Sequence, residues 1–124
     1  MASFGARIVP SLLARDLEET LRFYTERLGF RVTGRYPDDD TPVWIEVSRD
    51  GIVLQFYRDA PVGTSDQPVL SGALYLLPDS VADLARELGD RVEFEWGPEV
   101  MPYGMREFAV RDCNGYLLAF TEPA

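Results

Sequence analysis

The stretch YGMREFAVRDCNGYLLAFTE, residues 103–122, decides the fold. Two apolar runs, REFAV and YLLAF, flank Asn114-Gly115, a pair that tolerates positive φ at both central positions of a tight hairpin turn. The reading is two antiparallel strands with Asn114 and Gly115 at the tip. A second hairpin is written in PVWIEVSRDGIVLQFYR, residues 42–58, about Asp50-Gly51. The same series precedes each hairpin. RIVPSLLA and GALYLL are short apolar strands, and each leads into a helix. In the first helix, predicted over 17–28, Asp16 and Glu19 have capping-box spacing. Leu17, Leu21, Tyr24 and Leu28 recur at helical spacing with Phe23 beside them, and Gly29 supplies a left-handed cap. In the second, Asp79 or Ser80 caps a stripe of Val81, Leu84, Ala85 and Leu88 that stops at Gly89. FRVTGRY and RVEFEWG then give one strand apiece. The order β-α-β-β-β thus occurs twice, as module one about 6–58 and module two about 72–122. The linker, about 59–71, is broken by Pro61, Gly63 and Pro68. A module of this size is too small to bury a good core alone, so the pattern predicts one domain of paired modules.

Composition narrows the function. The 124-residue chain is 46% hydrophobic and 27% charged, as a soluble globule with a real core should be. No apolar run is long enough to cross a bilayer, and the N-terminus lacks a basic segment followed by an apolar one, so a cytoplasmic, non-membrane protein is expected. The single cysteine, Cys113, excludes an intramolecular disulfide and, beside a turn, reads as incidental. There is no histidine, which removes the commonest transition-metal ligand and general base. All 12 basic residues are arginine, which excludes Schiff-base chemistry on lysine. The net charge of −9 repels nucleic-acid phosphates. It serves either solubility or attraction of a cationic ligand.

The first hairpin reads by parity. With Asp50-Gly51 as a two-residue turn, Arg49 faces Ile52 and Glu46 faces Gln55, and successive side chains alternate between faces. Val43, Ile45, Val47, Leu54 and Phe56 take one face, with Arg49 and Ile52 at the turn end; this face is expected to pack on a helix. Trp44, Glu46, Ser48, Val53, Gln55 and Tyr57 take the other. That set is either an exposed sheet face or one wall of a ligand cleft, for which two aromatics around a carboxylate and an amide are suited.

The helix RDLEETLRFYTERLGF and the hairpin GMREFAVRDCNGY resemble the vicinal oxygen chelate superfamily, which includes glyoxalase I, extradiol dioxygenases, and fosfomycin and bleomycin resistance proteins. The hairpin departs from the pattern of the bleomycin-binding branch at Cys113, where proline is usual, and at Tyr116, where asparagine is usual. The resemblance spans nearly the whole chain. It implies an α+β fold of two βαβββ modules whose curved mixed sheets enclose a cleft. The superfamily's four metal-ligand positions fall on Val9, Gln55, Ala73 and Ala119, so neither a metal nor another cofactor is expected. The metal-free branch implies a homodimer with clefts between subunits, often with the N-terminal strand exchanged. Pro10 stands where such a strand would bend away, and an ordinary edge-strand proline explains it equally well.

Candidate ligand-binding residues are Trp44, Glu46, Gln55 and Tyr57 on the first hairpin and Tyr36 beside the loop of Asp38–Asp40. To these are added Tyr75, which shares parity with Ala73, and the loop group Trp96, Met101, Tyr103 and Met105. No catalytic residue is assigned. The expected function is non-catalytic sequestration of an aromatic, cationic small molecule such as a bleomycin-type glycopeptide, conferring antibiotic resistance. The alternatives are a metal-independent enzyme with Glu46 as general base, its pKa raised by burial, or an interaction module with no ligand.

Overall fold

The structure, a computed structural model, describes residues 2–59 and 65–124. The predicted linker residues Pro61 and Gly63 lie outside the described residues. In the first half, β1 (Ser11–Leu13) leads into α1 (Leu17–Arg22), which widens into a π-helical turn over Phe23–Arg27. β2 (Arg31–Tyr36), β3 (Trp44–Arg49) and β4 (Ile52–Tyr57) follow. The second half repeats the order with β5 (Leu74–Leu76), α2 (Val81–Leu88), β6 (Trp96–Val100), β7 (Met105–Arg111) and β8 (Leu117–Pro123). The strands form two four-stranded sheets, ordered β1-β4-β3-β2 and β5-β8-β7-β6. In each, the first strand runs parallel to its neighbour and the rest are antiparallel. The α+β class and the twofold βαβββ order are as read from the sequence. β1 pairs with β4 of its own chain.

Local chemistry accounts for the helix ends. Asp16 Oδ1 accepts the Glu19 amide at 3.0 Å, and Ser80 Oγ accepts that of Asp83 at 3.1 Å. Gly29 at φ 74° turns the chain out of the first helix, where the Phe30 amide reaches back to the Tyr24 carbonyl at 2.9 Å.

The first hairpin forms as its sequence reads. Asp50 and Gly51 both have positive φ, 49° and 87°, and Glu46 pairs with Gln55. Ile45, Val47, Leu54 and Phe56 are buried. Arg49, the one charge on that face, lays its guanidinium on the Glu87 carboxylate of α2 with two bonds of 2.8 and 2.9 Å and donates to the Leu28 carbonyl.

Two expectations are corrected. In the last hairpin Gly115 has positive φ, 89°, but Asn114 does not. Asp112 and Tyr116 close the loop through the Asp112 amide and the Tyr116 carbonyl, so the turn is one residue longer than Asn114-Gly115 alone. The reason is that Asn114 faces inward. Its Oδ1 accepts the Arg15 amide at 2.9 Å and its Nδ2 donates to Thr20 Oγ1 at 3.0 Å, which fixes the start of α1. The strand expected over RVEFEWG begins later, at Trp96, and runs through Gly97-Pro98 with a bulge. Gly97, at φ 75°, lets β6 press against β7: an added Cβ would stand 2.1 Å from the Glu107 carbonyl oxygen. Phe94, before this strand, packs on Phe108 in the core.

The buried cluster draws on both halves, from Leu17, Tyr24 and Phe56 to Val81, Leu88 and Phe120. At its centre the Tyr24 hydroxyl donates to Asp112 Oδ2 at 2.6 Å, while Asp112 Oδ1 accepts the Asn114 and Tyr116 amides. The Tyr116 hydroxyl donates to the Leu13 carbonyl at 2.6 Å. Cys113, half-buried beside Thr20, has its thiol pushed up to about 11 by burial, so it is not poised to react.

Tyr24→Phe leaves the buried Asp112 carboxylate short of a donor. The expected cost is about 1–3 kcal/mol in urea unfolding at unchanged m-value. Burial holds the Asp112 carboxyl above the usual aspartate range, against the pull of its hydrogen bonds. A raised folded pKa means that the native state holds the proton more tightly, so this contribution is full below the unfolded pKa and is lost as pH rises through the folded one. Relative to Asp112→Asn, the wild type therefore loses stability across that rise. Parallel pH–stability profiles would refute the assignment.

Candidate functional site

Strand register sets the site. On the face of the first sheet away from the core, cross-strand partners form two rows. Tyr36, Trp44, Tyr57 and Leu13 stand side by side across β2, β3, β4 and β1. The next row is Gly34, Glu46, Gln55 and Ser11. Adjacent strands lie about 4.8 Å apart, so three aromatic rings line up beside a polar strip. Trp44 and Tyr57 are half-buried and Tyr36 is exposed. The Trp44 indole covers Gly34, where an added Cβ would meet its ring at 2.9 and 3.0 Å.

Glu46 differs from expectation. Its Oε2 accepts Gln55 Nε2 and its Oε1 accepts Thr33 Oγ1, both at 2.9 Å. These bonds hold its carboxyl below the usual glutamate range. The reading of Glu46 as a base with a burial-raised pKa is thus overturned, because donors on a half-exposed face outweigh the small loss of solvent. Thr33 escaped the sequence reading; a bulge between Val32 and Gly34 brings it to Glu46.

The corresponding face of the second sheet is built alike. Trp96, Ala109, Ala119 and Tyr75 form one row, and Glu99, Glu107 and Thr121 the next. Ala119, at the superfamily's metal position, is fully buried. With Gln55 committed to Glu46 and alanine at 119, these positions do not suit a divalent ion. Among the described residues no group of three or more His, Cys, Asp or Glu could hold a metal. Met105 is half-buried on this face, and the Met101 amide donates to its carbonyl at 2.7 Å.

Glu107 is the residue the sequence reading missed. It is fully buried, with Oε2 accepting Trp96 Nε1 at 3.0 Å and Oε1 accepting the Tyr103 hydroxyl at 2.8 Å. The bond to Glu107, then loss of solvent and the neighbouring Tyr75, raise the Tyr103 phenol above its ordinary range. Alternation along β7 is the signal that finds Glu107: Phe108 and Val110 take the core face, which turns Glu107 to the other.

The predicted residues thus fall into two groups. Tyr36, Trp44, Glu46, Gln55 and Tyr57 share the first sheet, while Tyr75, Trp96, Met101, Tyr103 and Met105 gather on or beside the second. Among the described residues no hydrogen bond joins the groups. Two cavities, of about 420 and 510 Å³, lie instead between the β3–β4 turn and α2, lined by residues such as Leu28, Ile52 and Glu87.

Residues 7–120 match the model of the Glyoxalase/Bleomycin resistance protein/Dioxygenase superfamily. The chain belongs to this superfamily. No curated protein sequence matches it. Among solved structures, the antibiotic binding protein TnmS3 from Streptomyces sp. CB03234 is 23% identical at TM-score 0.77, with 100% of each chain covered. The bleomycin-binding protein of bleomycin-producing Streptomyces verticillus, complexed with copper(II)-bleomycin, is 24% identical at TM-score 0.72, again with 100% of each covered. A glyoxalase/bleomycin resistance protein from Streptomyces sp. CB03234 is 25% identical at TM-score 0.71, covering 92% of this chain and 97% of that one. The superfamily fold hosts several chemistries, so the site must decide among them.

Gly34→Ala is expected to lift the Trp44 indole off the sheet. In a Trp96→Phe background, where Trp44 is the remaining tryptophan, its fluorescence should shift to the red. Unchanged emission would show that Gly34 does not seat the ring.

Proposed function

We propose that this superfamily member is a non-catalytic binding protein that sequesters an aromatic, cationic small molecule of the bleomycin-type glycopeptide class. The observation that carries the reading is the row Tyr36–Trp44–Tyr57 beside Glu46 and Gln55. Aromatic side chains this large are kept at a half-open surface where flat heteroaromatic rings can stack, and the carboxylate and net negative charge draw a cation to them. The depressed pKa of Glu46 favours a fixed anion over a proton acceptor. Structural neighbours that bind bleomycin or another antibiotic lend support.

In this reading the chain is a homodimer. Among the described residues the two cavities beside α2 touch neither aromatic face, and a second copy that brings another face opposite would close a cleft there. The resemblance to dimeric bleomycin-binding proteins agrees with that. Resistance to the ligand in the cytoplasm follows from its sequestration.

Light scattering at micromolar concentration should give about twice 14.0 kDa, and bleomycin should raise the melting temperature by an amount that grows with the logarithm of its concentration once that exceeds Kd. Trp44→Ala is expected to weaken bleomycin by about 1–3 kcal/mol through lost stacking area. Ile45→Val, on the buried face, should cost about 0.5–1.5 kcal/mol of stability and leave affinity alone. Absence of a thermal shift with bleomycin would remove this ligand class. Loss of affinity in Ile45→Val but not in Trp44→Ala would remove the assigned face.

A further inference from the structure

Glu107 is a buried carboxylate without a counter-charge. None of the ion pairs among the described residues involves it. Glu87, by contrast, holds Arg49, and Glu46 is half-exposed with Arg7 in range. The other buried carboxylate, Asp112, also lacks an ion pair, but three donors close on it, the Tyr24 hydroxyl and the Asn114 and Tyr116 amides. Glu107 receives only two neutral donors, Trp96 Nε1 and the Tyr103 hydroxyl, one on each oxygen. An ionised carboxylate offers about four acceptor positions, so half of its capacity is idle. Directly opposite in the ladder stands Thr121, whose Oγ1 is buried and has no hydrogen-bond partner among the described residues. A buried carboxylate without a counter-charge beside an idle hydroxyl costs stability, and an alanine pair such as Ala109 and Ala119 in the neighbouring row would avoid that cost.

We propose that Glu107 and Thr121 form a cation subsite that takes a planar, conjugated cation of the aromatic amidinium or guanidinium class. This inference rests on the reading of the chain as a small-molecule binder and assigns the ligand's charge to Glu107. A planar cation with two parallel N–H donors matches a carboxylate with a free lone pair on each oxygen, and Thr121 Oγ1 takes a further donor. Tyr103 is 58% exposed and follows Pro102 in the short β6–β7 connection, so its phenol gives way to the incoming cation in exchange for the bond it already makes.

The test is a titration of the intact protein with benzamidine and, separately, with benzamide, its neutral near-isostere, followed through the Trp96 indole N–H resonance. Benzamidine is expected to shift that resonance and to bind at least about tenfold more tightly than benzamide, on the scale of a close buried charge pair. Glu107→Gln should erase the preference, and Glu18→Gln, at an exposed carboxylate of α1, should keep it. Tyr103→Phe, which keeps the ring but removes the competing donor, should tighten benzamidine several-fold. That variant carries the test if Glu107→Gln does not fold. Equal binding of the two probes, no shift at tens of millimolar benzamidine, a preference that survives Glu107→Gln, or a Tyr103→Phe protein with unchanged or weaker binding would each overturn the inference. Bleomycin titrated in parallel separates the two readings. A benzamidine preference without bleomycin binding leaves this subsite standing and removes bleomycin sequestration. Bleomycin affinity that is sensitive to Trp44→Ala but not to Glu107→Gln does the reverse.

Discussion

The bond from the Tyr24 hydroxyl to the Asp112 carboxylate ties the first helix to the tip of the last hairpin, and the arrangement of the two sheets hangs on it. Both groups are buried, and neither tolerates burial unpaired. Once they meet, the rest of the turn is committed. Asp112 takes the Asn114 and Tyr116 amides, Asn114 reaches Arg15 and Thr20, and Tyr116 reaches Leu13. A polar network with every member satisfied fixes one geometry more sharply than apolar packing would. At the far end Arg49 and Glu87 form a second tie between the halves.

These ties lie on the helix side of each sheet and leave the aromatic rows on the other side. Both free faces follow one plan, an aromatic row next to a row that holds a carboxylate. They differ in how the carboxylate is kept. Glu46 sits in partial solvent between an amide and a hydroxyl, whereas Glu107 is buried and accepts from Trp96 and Tyr103. The first suits long-range attraction and orientation. The second suits a charge that leaves water altogether, where an ion pair is stronger and more selective. Ala119 and Gln55, where the resemblance puts metal ligands, offer an apolar methyl and an amide committed to Glu46.

Much of this was legible in the sequence, because alternation and turn chemistry are local. The Asp50-Gly51 turn fixed the first hairpin's register, and from that register came the aromatic row of Trp44 and Tyr57. The same alternation applied to β7 exposes Glu107. What escaped depends on contacts distant in sequence. Asn114 looks like a turn residue, yet its side chain serves Arg15 and Thr20. The start of β6 is set by how closely Gly97 passes the Glu107 backbone, which no propensity records. Thr33 joins Glu46 only through a bulge. Burial was expected to raise the pKa of Glu46; the two donors that lower it lie on neighbouring strands.

The central claim is that the faces away from the helices hold a ligand without changing it. Hydrogen exchange with and without saturating bleomycin, combined with the mass of the bleomycin recovered afterwards, tests both parts at once. The expected result is protection in peptides from β3, β4 and β7 and bleomycin recovered at its original mass. Protection confined to α2 and the β3–β4 turn, where the two cavities lie, or bleomycin of altered mass, would contradict it.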